Sequence, residues 1–220
     1  MENKKTGFHY AWIVFVATVV MNFVFSIVYS TFSLYAGKVL EANPDITRTA
    51  YSVIPTLHSV FATVFLLTYG KIVQKLGFRK IMLLGGIGLA VGFFIYSIAQ
   101  SIGVFYIGAV FVAMLPAFCS STTTGALINR WYGKLNTTLL SISMAIGGFG
   151  GTVGSSIVGN WLGTIGYKAS FRNMGLLMLV TMVIVFLVVR NNPADKGTVM
   201  LWPSETDMNA HSQEERAGFT

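Results

Sequence analysis

The sequence predicts an all-α integral membrane protein built from six transmembrane helices. Two observations carry this: the charges cluster, and the stretches between clusters are long and apolar. Tyr10–Tyr35, Thr49–Gly70, Ile81–Asn129, Leu135–Tyr167 and Asn173–Val189 contain no Asp, Glu, Lys or Arg. A hydrocarbon core of about 30 Å needs about 20 apolar residues as a helix. The run Ile81–Asn129 is therefore two crossings, with Gln100-Ser101-Ile102-Gly103 as the most polar place to turn. Composition is the third observation. Hydrophobic residues make up 54% and charged residues 10%, against about 25% charged in a soluble domain. So little polar surface could not cover a water-soluble fold of 220 residues.

The first span covers about Tyr10–Tyr35, too long for a signal peptide. Tyr10 and Trp12 anchor one end at the interface. Asn22, Ser26, Tyr29 and Ser33 recur at steps of four, three and four, so they share a face turned to other helices or to a water-filled cavity. Asn43-Pro44-Asp45 marks a turn, and Thr47 can cap the next helix. The second span, about Thr49–Val73, holds His58, the one imidazole well inside a span and a functional candidate. The third covers about Arg79–Ser101. The fourth, about Val104–Asn129, carries Pro116 and then Ser120-Ser121-Thr122-Thr123-Thr124-Gly125; a proline bends a helix and hydroxyls rebond freed carbonyls or line a pore. That places the fourth span against the bundle centre, with Thr123 as a cavity candidate.

The fifth span, about Leu135–Leu162, is rich in glycine. Ser141, Ala145, Gly148, Thr152, Ser155 and Gly159 share a face, and Gly147/Gly151 and Gly150/Gly154 are small-x-x-x-small pairs. Such faces let helices approach closely in lipid. The sixth, about Phe171–Val189, is almost wholly apolar and reads as lipid-facing, as does the third. Residues 191–220 read as a flexible polar tail or linker, with the organisation 1–9 terminus, 10–190 bundle, 191–220 tail. Spans 1–3 and 4–6 are expected to form two inverted three-helix repeats.

The net charge of +7 is a topology signal and not a nucleic-acid patch. With the amino terminus inside, Lys4, Lys5, Lys71, Lys75, Arg79, Lys80, Arg130, Lys134, Arg190, Lys196 and Arg216 lie inside, and Lys38, Arg48, Lys168 and Arg172 outside. Eleven against four puts both termini in the cytoplasm of a cell whose plasma membrane the chain crosses. Lone Cys119 reads as a packing residue. Acids are absent from every span, and no metal-ligand spacing or phosphate loop appears, which argues against an enzyme, a metal site or a bound cofactor.

Gly70-Lys71-Ile72-Val73-Gln74-Lys75-Leu76-Gly77-Phe78-Arg79-Lys80 resembles the G-x-L-A-D-R-x-G-x-R-[RK] signature of the major facilitator superfamily, at the matching place between spans 2 and 3. Gln74 stands where the signature has its acid. Three further stretches are similar to the oxalate/formate antiporter and monocarboxylate-transporter-like branch: Asn129-Arg130-Trp131-Tyr132-Gly133-Lys134, Gly166-Tyr167-Lys168-Ala169-Ser170-Phe171, and the exit Arg190–Gly197. The resemblance implies half of a twelve-helix transporter fold, moving a small organic solute, a monocarboxylate among the candidates, by alternating access. It implies a gating loop at Gly70, Gln74, Gly77, Arg79 and Lys80. A second six-helix half or a second copy of the chain would complete the cavity, unless the chain is a truncated product. Asn22, Tyr29, His58 and Thr123 are the expected cavity residues. The competing expectation is a non-transporting subunit or sensor that docks through its tail.

Overall fold

The computed structural model describes residues 9–203. The expected terminus 1–9 lies outside them apart from His9, as does the tail beyond 203. Helix α1 (Tyr10–Ala42) is capped by the His9 side chain and runs past its expected end at Tyr35. Lys38 and Glu41 pair at 2.8 Å one turn apart, so the charges extend the helix instead of ending it. Asn43 closes it, its backbone and side-chain N–H groups both donating to the Val39 carbonyl.

Helix α2 (Arg48–Ile98) starts on the expected cap, with the Ala50 N–H donating to Thr47 Oγ1 at 3.2 Å. It absorbs the segment expected as a loop, 70–80, and departs from helical geometry only at Gly77 (φ 74°, ψ 166°). A straight helix would hold His58 and Tyr96 about 57 Å apart; their side chains meet at 2.7 Å. The chain thus folds back at Gly77 into two arms, 48–76 and 78–98. The backbone region there is essentially open to glycine alone. A Cβ on Gly77 would also lie 2.4 Å from Asn191 Nδ2.

The fourth expected span divides into α3 (Ile102–Val112), α4 (Met114–Phe118) and α5 (Ser121–Trp131). Pro116 has no N–H for the Val112 carbonyl four residues earlier, and α3 ends at that residue. At the second break, Thr123 Oγ1 donates to the Phe118 carbonyl at 2.8 Å. Helices α6 (Asn136–Thr164) and α7 (Gly166–Val188) complete the bundle. Among the described residues, five helices are long and apolar enough to cross a membrane, with Ile102–Trp131 taken as one.

The glycines of α6 seal it onto α1. A Cβ on Gly150 would sit 2.2 Å from the Phe23 carbonyl oxygen, and one on Gly154 2.7 Å from Ile27. Of the small residues expected to share one face, Ser141, Ala145, Gly148, Thr152 and Gly159 remain exposed. The packed face is the adjacent one, Gly147, Gly150, Gly151 and Gly154.

The expectation that the third and sixth spans face lipid is corrected. The second arm of α2 is the most enclosed rod, burying Ile81, Met82, Leu89, Phe93 and Tyr96. Helix α7 lays Met174, Gly175, Met178 and Met182 onto that arm, and only its other face, with Val180, Ile184 and Leu187, is exposed. Four glycines explain the burial. Gly85, Gly86, Gly88 and Gly92 admit Cys119, Met182, Met114 and the Gly108 carbonyl respectively, each under 3.0 Å from where a Cβ would stand.

The segment after α7 is likewise not free as far as residue 203. Pro193–Lys196 forms a 3₁₀ turn with a capping box from Asn192 and Asp195. Leu201 and Trp202 then lie beside the α5–α6 turn: Leu201 N–H donates to the Trp131 carbonyl (3.0 Å), Gly133 N–H to Leu201 (2.9 Å) and Lys134 N–H to Trp202 (2.8 Å).

Candidate functional site

A cavity of about 220 Å³ opens between α1, the first arm of α2 and the α3–α4 break. Helix α1 contributes Val28, Tyr29, Phe32 and Ser33; the α2 arm contributes Pro55, His58 and Ser59; the break contributes Val112, Leu115 and Pro116. It exists because α1 is pressed onto α6 along one side while the break at Pro116 interrupts the rod on the other. It is half enclosed, with Tyr29 50% exposed at its rim and Leu115 fully buried at its wall.

His58 is the most enclosed polar group there, at 9% exposure. Its Nε2 shares a proton with the Tyr96 hydroxyl at 2.7 Å, and the Phe32 ring meets it edge-on at 5.2 Å. Tyr96, itself fully buried, belongs to the second arm, so this bond ties the two arms across the fold-back. Ser59 Oγ donates to the Pro55 carbonyl at 3.1 Å, which leaves its oxygen as an acceptor. Tyr29 stacks on Phe25 at 4.8 Å between ring centres.

Of the four expected cavity residues, the structure brings two together. Tyr29 and His58 line the cavity. Asn22 does not: its Nδ2 donates to Ser143 Oγ at 2.8 Å in the buried α1–α6 seam. Thr123 does not either, being fully buried and committed to the Phe118 carbonyl. The polar stripe of α1 therefore splits along its length. Asn22 and Ser26 serve the seam with α6, while Tyr29 and Ser33 serve the cavity. Phe32, Ser59, Val112 and Leu115 had no distinguishing signal in sequence. Ser33, Pro55 and Pro116 did, as a stripe member and as prolines inside spans.

The expected gating loop also divides. Gly70, Gln74 and Lys80 are exposed, and Gln74 makes no side-chain hydrogen bond among the described residues. Gly77 and Arg79 are instead clamped by the exit from α7. Asn191 Oδ1 accepts from the Arg79 N–H at 3.0 Å and so caps the second arm. The Arg79 side chain donates to the Phe186 carbonyl and lies 4.0 Å over the Phe186 ring. Around it, Arg130 donates to Asn192 Oδ1 at 2.7 Å, the Trp131 indole to the Arg190 carbonyl at 3.2 Å, and Tyr10 to the Val188 carbonyl. Trp202 stacks on Tyr132 and meets Trp12 edge-on. Burial pushes the Tyr132 phenol upward, and its hydroxyl has no partner among the described residues. The basic end of the bundle is thus held by cation–π contacts and hydrogen bonds to carbonyls and amides. Among the described residues the one ion pair is Lys38–Glu41, on the opposite end of α1.

An all-helical bundle of long apolar rods around a half-open cavity, without a charge on the cavity wall, defines a polytopic membrane protein of the solute-handling kind. The Major Facilitator Superfamily model matches residues 9–206, nearly the whole chain, and the chain belongs to that family. Its members are membrane transporters, and a role in transmembrane transport follows. Among curated proteins none matches the chain.

Proposed function

We propose that the chain carries a small organic solute across the plasma membrane by alternating access, as a secondary transporter or as one half of one. The observation that carries this reading is the cavity around His58: a half-enclosed, uncharged hollow on three rods of a Major Facilitator Superfamily chain. The fold-back at Gly77, which makes two rods of α2, supports the reading of six crossings. The arms 48–76 and 78–98 with α1, and α3–α5 with α6 and α7, then correspond to two inverted three-helix repeats. The excess of cations on the Gly77 side supports cytoplasmic termini.

The open side of the cavity calls for a second wall, from another six-helix body or a second copy of this chain. The resemblance to the oxalate/formate and monocarboxylate branch would imply a carboxylate, for which this half of the cavity wall offers no cation. Gly70, Gln74, Gly77, Arg79 and Lys80 form the gating segment as the two bodies rock. Uptake of labelled solutes into proteoliposomes is the test, with Arg79→Ala and Gly77→Leu alongside. Uptake that survives both substitutions unchanged removes the gating role, and native mass spectrometry in detergent reports whether a second body is present.

A further inference from the structure

We propose that the cavity around His58 takes a small, neutral, ring-bearing alcohol or phenol, in preference to a free carboxylate. The inference rests on the reading of this cavity as the solute's site, and it narrows the solute by chemistry. Size comes first. An apolar cavity of about 150 Å³ in an engineered protein holds benzene, so about 220 Å³ admits a six-membered ring with a short substituent. The walls suit a ring: Tyr29 and Phe32 offer aromatic surface, and Leu115 and Pro116 aliphatic surface.

The polar groups decide the rest. One nitrogen of His58 is engaged with Tyr96, and the other remains. Whichever tautomer the pair adopts, a hydroxyl can answer it, because a hydroxyl both donates and accepts. The other polar groups on the wall are hydroxyls: Tyr29 and Ser33 make no side-chain hydrogen bond among the described residues and can donate or accept. Ser59 has spent its proton on the Pro55 carbonyl and is left as an acceptor. A carboxylate can only accept, so it gains nothing from Ser59, and it would find hydroxyls but no Lys or Arg on the wall to balance its charge. An ion desolvated without a partner is strongly disfavoured.

The test compares three ligands sharing one ring: benzyl alcohol, benzoate and benzylamine. Binding is measured at neutral pH on the full chain in lipid nanodiscs by saturation-transfer NMR. Ser33→Phe, at the exposed rim, fills the cavity without disturbing a buried contact and corrects for partition into lipid. Saturable benzyl alcohol binding, lost in Ser33→Phe and weakened about tenfold in His58→Phe, is the expected result. Tighter binding of benzoate or benzylamine overturns the proposal, as does alcohol binding that Ser33→Phe leaves intact. The two readings fail separately. Carboxylate uptake by vesicles that benzyl alcohol does not inhibit removes the ligand class and keeps transport. The expected binding pattern without uptake of any solute, in vesicles where native mass shows the second body to be present, removes transport and keeps the ligand class.

Discussion

Helix α1 has two sides, and they are built on opposite principles. Against α6 it is sealed: glycines bring backbone to backbone, and Asn22 and Ser143 share a buried hydrogen bond. Against the first arm of α2 it stands off, leaving the cavity, with Tyr29 and Ser33 at the rim. The sealed side cannot slide without a backbone collision, while the open side is held by little more than ring contacts of Phe32 with Tyr51 and His58. The contrast teaches that α1 and α6 move as one body, and that any rearrangement around the cavity must occur between α1 and the α2 arm.

The largest effect should come from breaking the seal. Gly150→Leu places a side chain 2.2 Å from the Phe23 carbonyl oxygen, where backbone must give way. A loss of about 3 kcal/mol is expected, read as a fall in thermal midpoint and in monodisperse yield from detergent. A midpoint unchanged from wild type would mean that α1 and α6 are not in contact at that depth.

Next in size is the fold-back. Gly77→Ala keeps a small side chain but demands a φ of 74° with ψ near 166° and strikes Asn191, so about 2–3 kcal/mol is expected. Adding Asn191→Gly relieves the collision and leaves the backbone strain, and because it also removes the cap on Arg79 the double variant is compared with Asn191→Gly alone. Relative to Asn191→Gly alone, Gly77→Ala should then cost less than in the wild type but not nothing; no cost at all would assign the whole effect to packing.

The open side yields smaller numbers. His58→Phe and Tyr96→Phe, measured singly and together, should show a coupling of about 1 kcal/mol, that of one buried hydrogen bond. At the clamped end, Trp202→Ala removes the indole that stacks on Tyr132 and meets Trp12 edge-on, worth about 1 kcal/mol. Faster tryptic cleavage after Lys196 is the readout, and cleavage at the wild-type rate would show that Leu201 and Trp202 are held by their backbone bonds alone.

Much of this fold was legible because its causes are local. Apolar run lengths, the Thr47 cap, the turn at Gln100-Ser101 and the interruption by Pro116 follow from single residues and their neighbours. What stayed hidden depends on partners distant in the chain. Gln74 and Lys75 suggested a polar loop, yet the chain stays helical through them because the reversal needs only Gly77. Thr123 and Asn22 looked like pore-lining groups, and both are spent on neighbours, a broken helix end in one case and Ser143 in the other. Sequence shows that a polar group in a span needs a partner, but not whether that partner is a solute or the next helix. That His58 lines the cavity was legible for the opposite reason: it is too polar for lipid and too large for a glycine-packed seam.

The smallest effect belongs to Gly148, which sits two residues before Gly150 and points the other way, with nothing within 4 Å of a Cβ built there. Gly148→Leu should leave the stability of the isolated chain within about 0.5 kcal/mol of wild type, although it enlarges the same helix by the same side chain as Gly150→Leu. Its neighbours Ser141, Ala145, Thr152 and Gly159 are exposed too, a row of small residues on which a second helical body could lie close. If the second wall of the cavity rests there, Gly148→Leu should abolish uptake in proteoliposomes while the thermal midpoint stays put. Wild-type uptake in that variant would place the second wall elsewhere, beginning with the equally exposed face of the α2 arm around Val60, Val64 and Leu67.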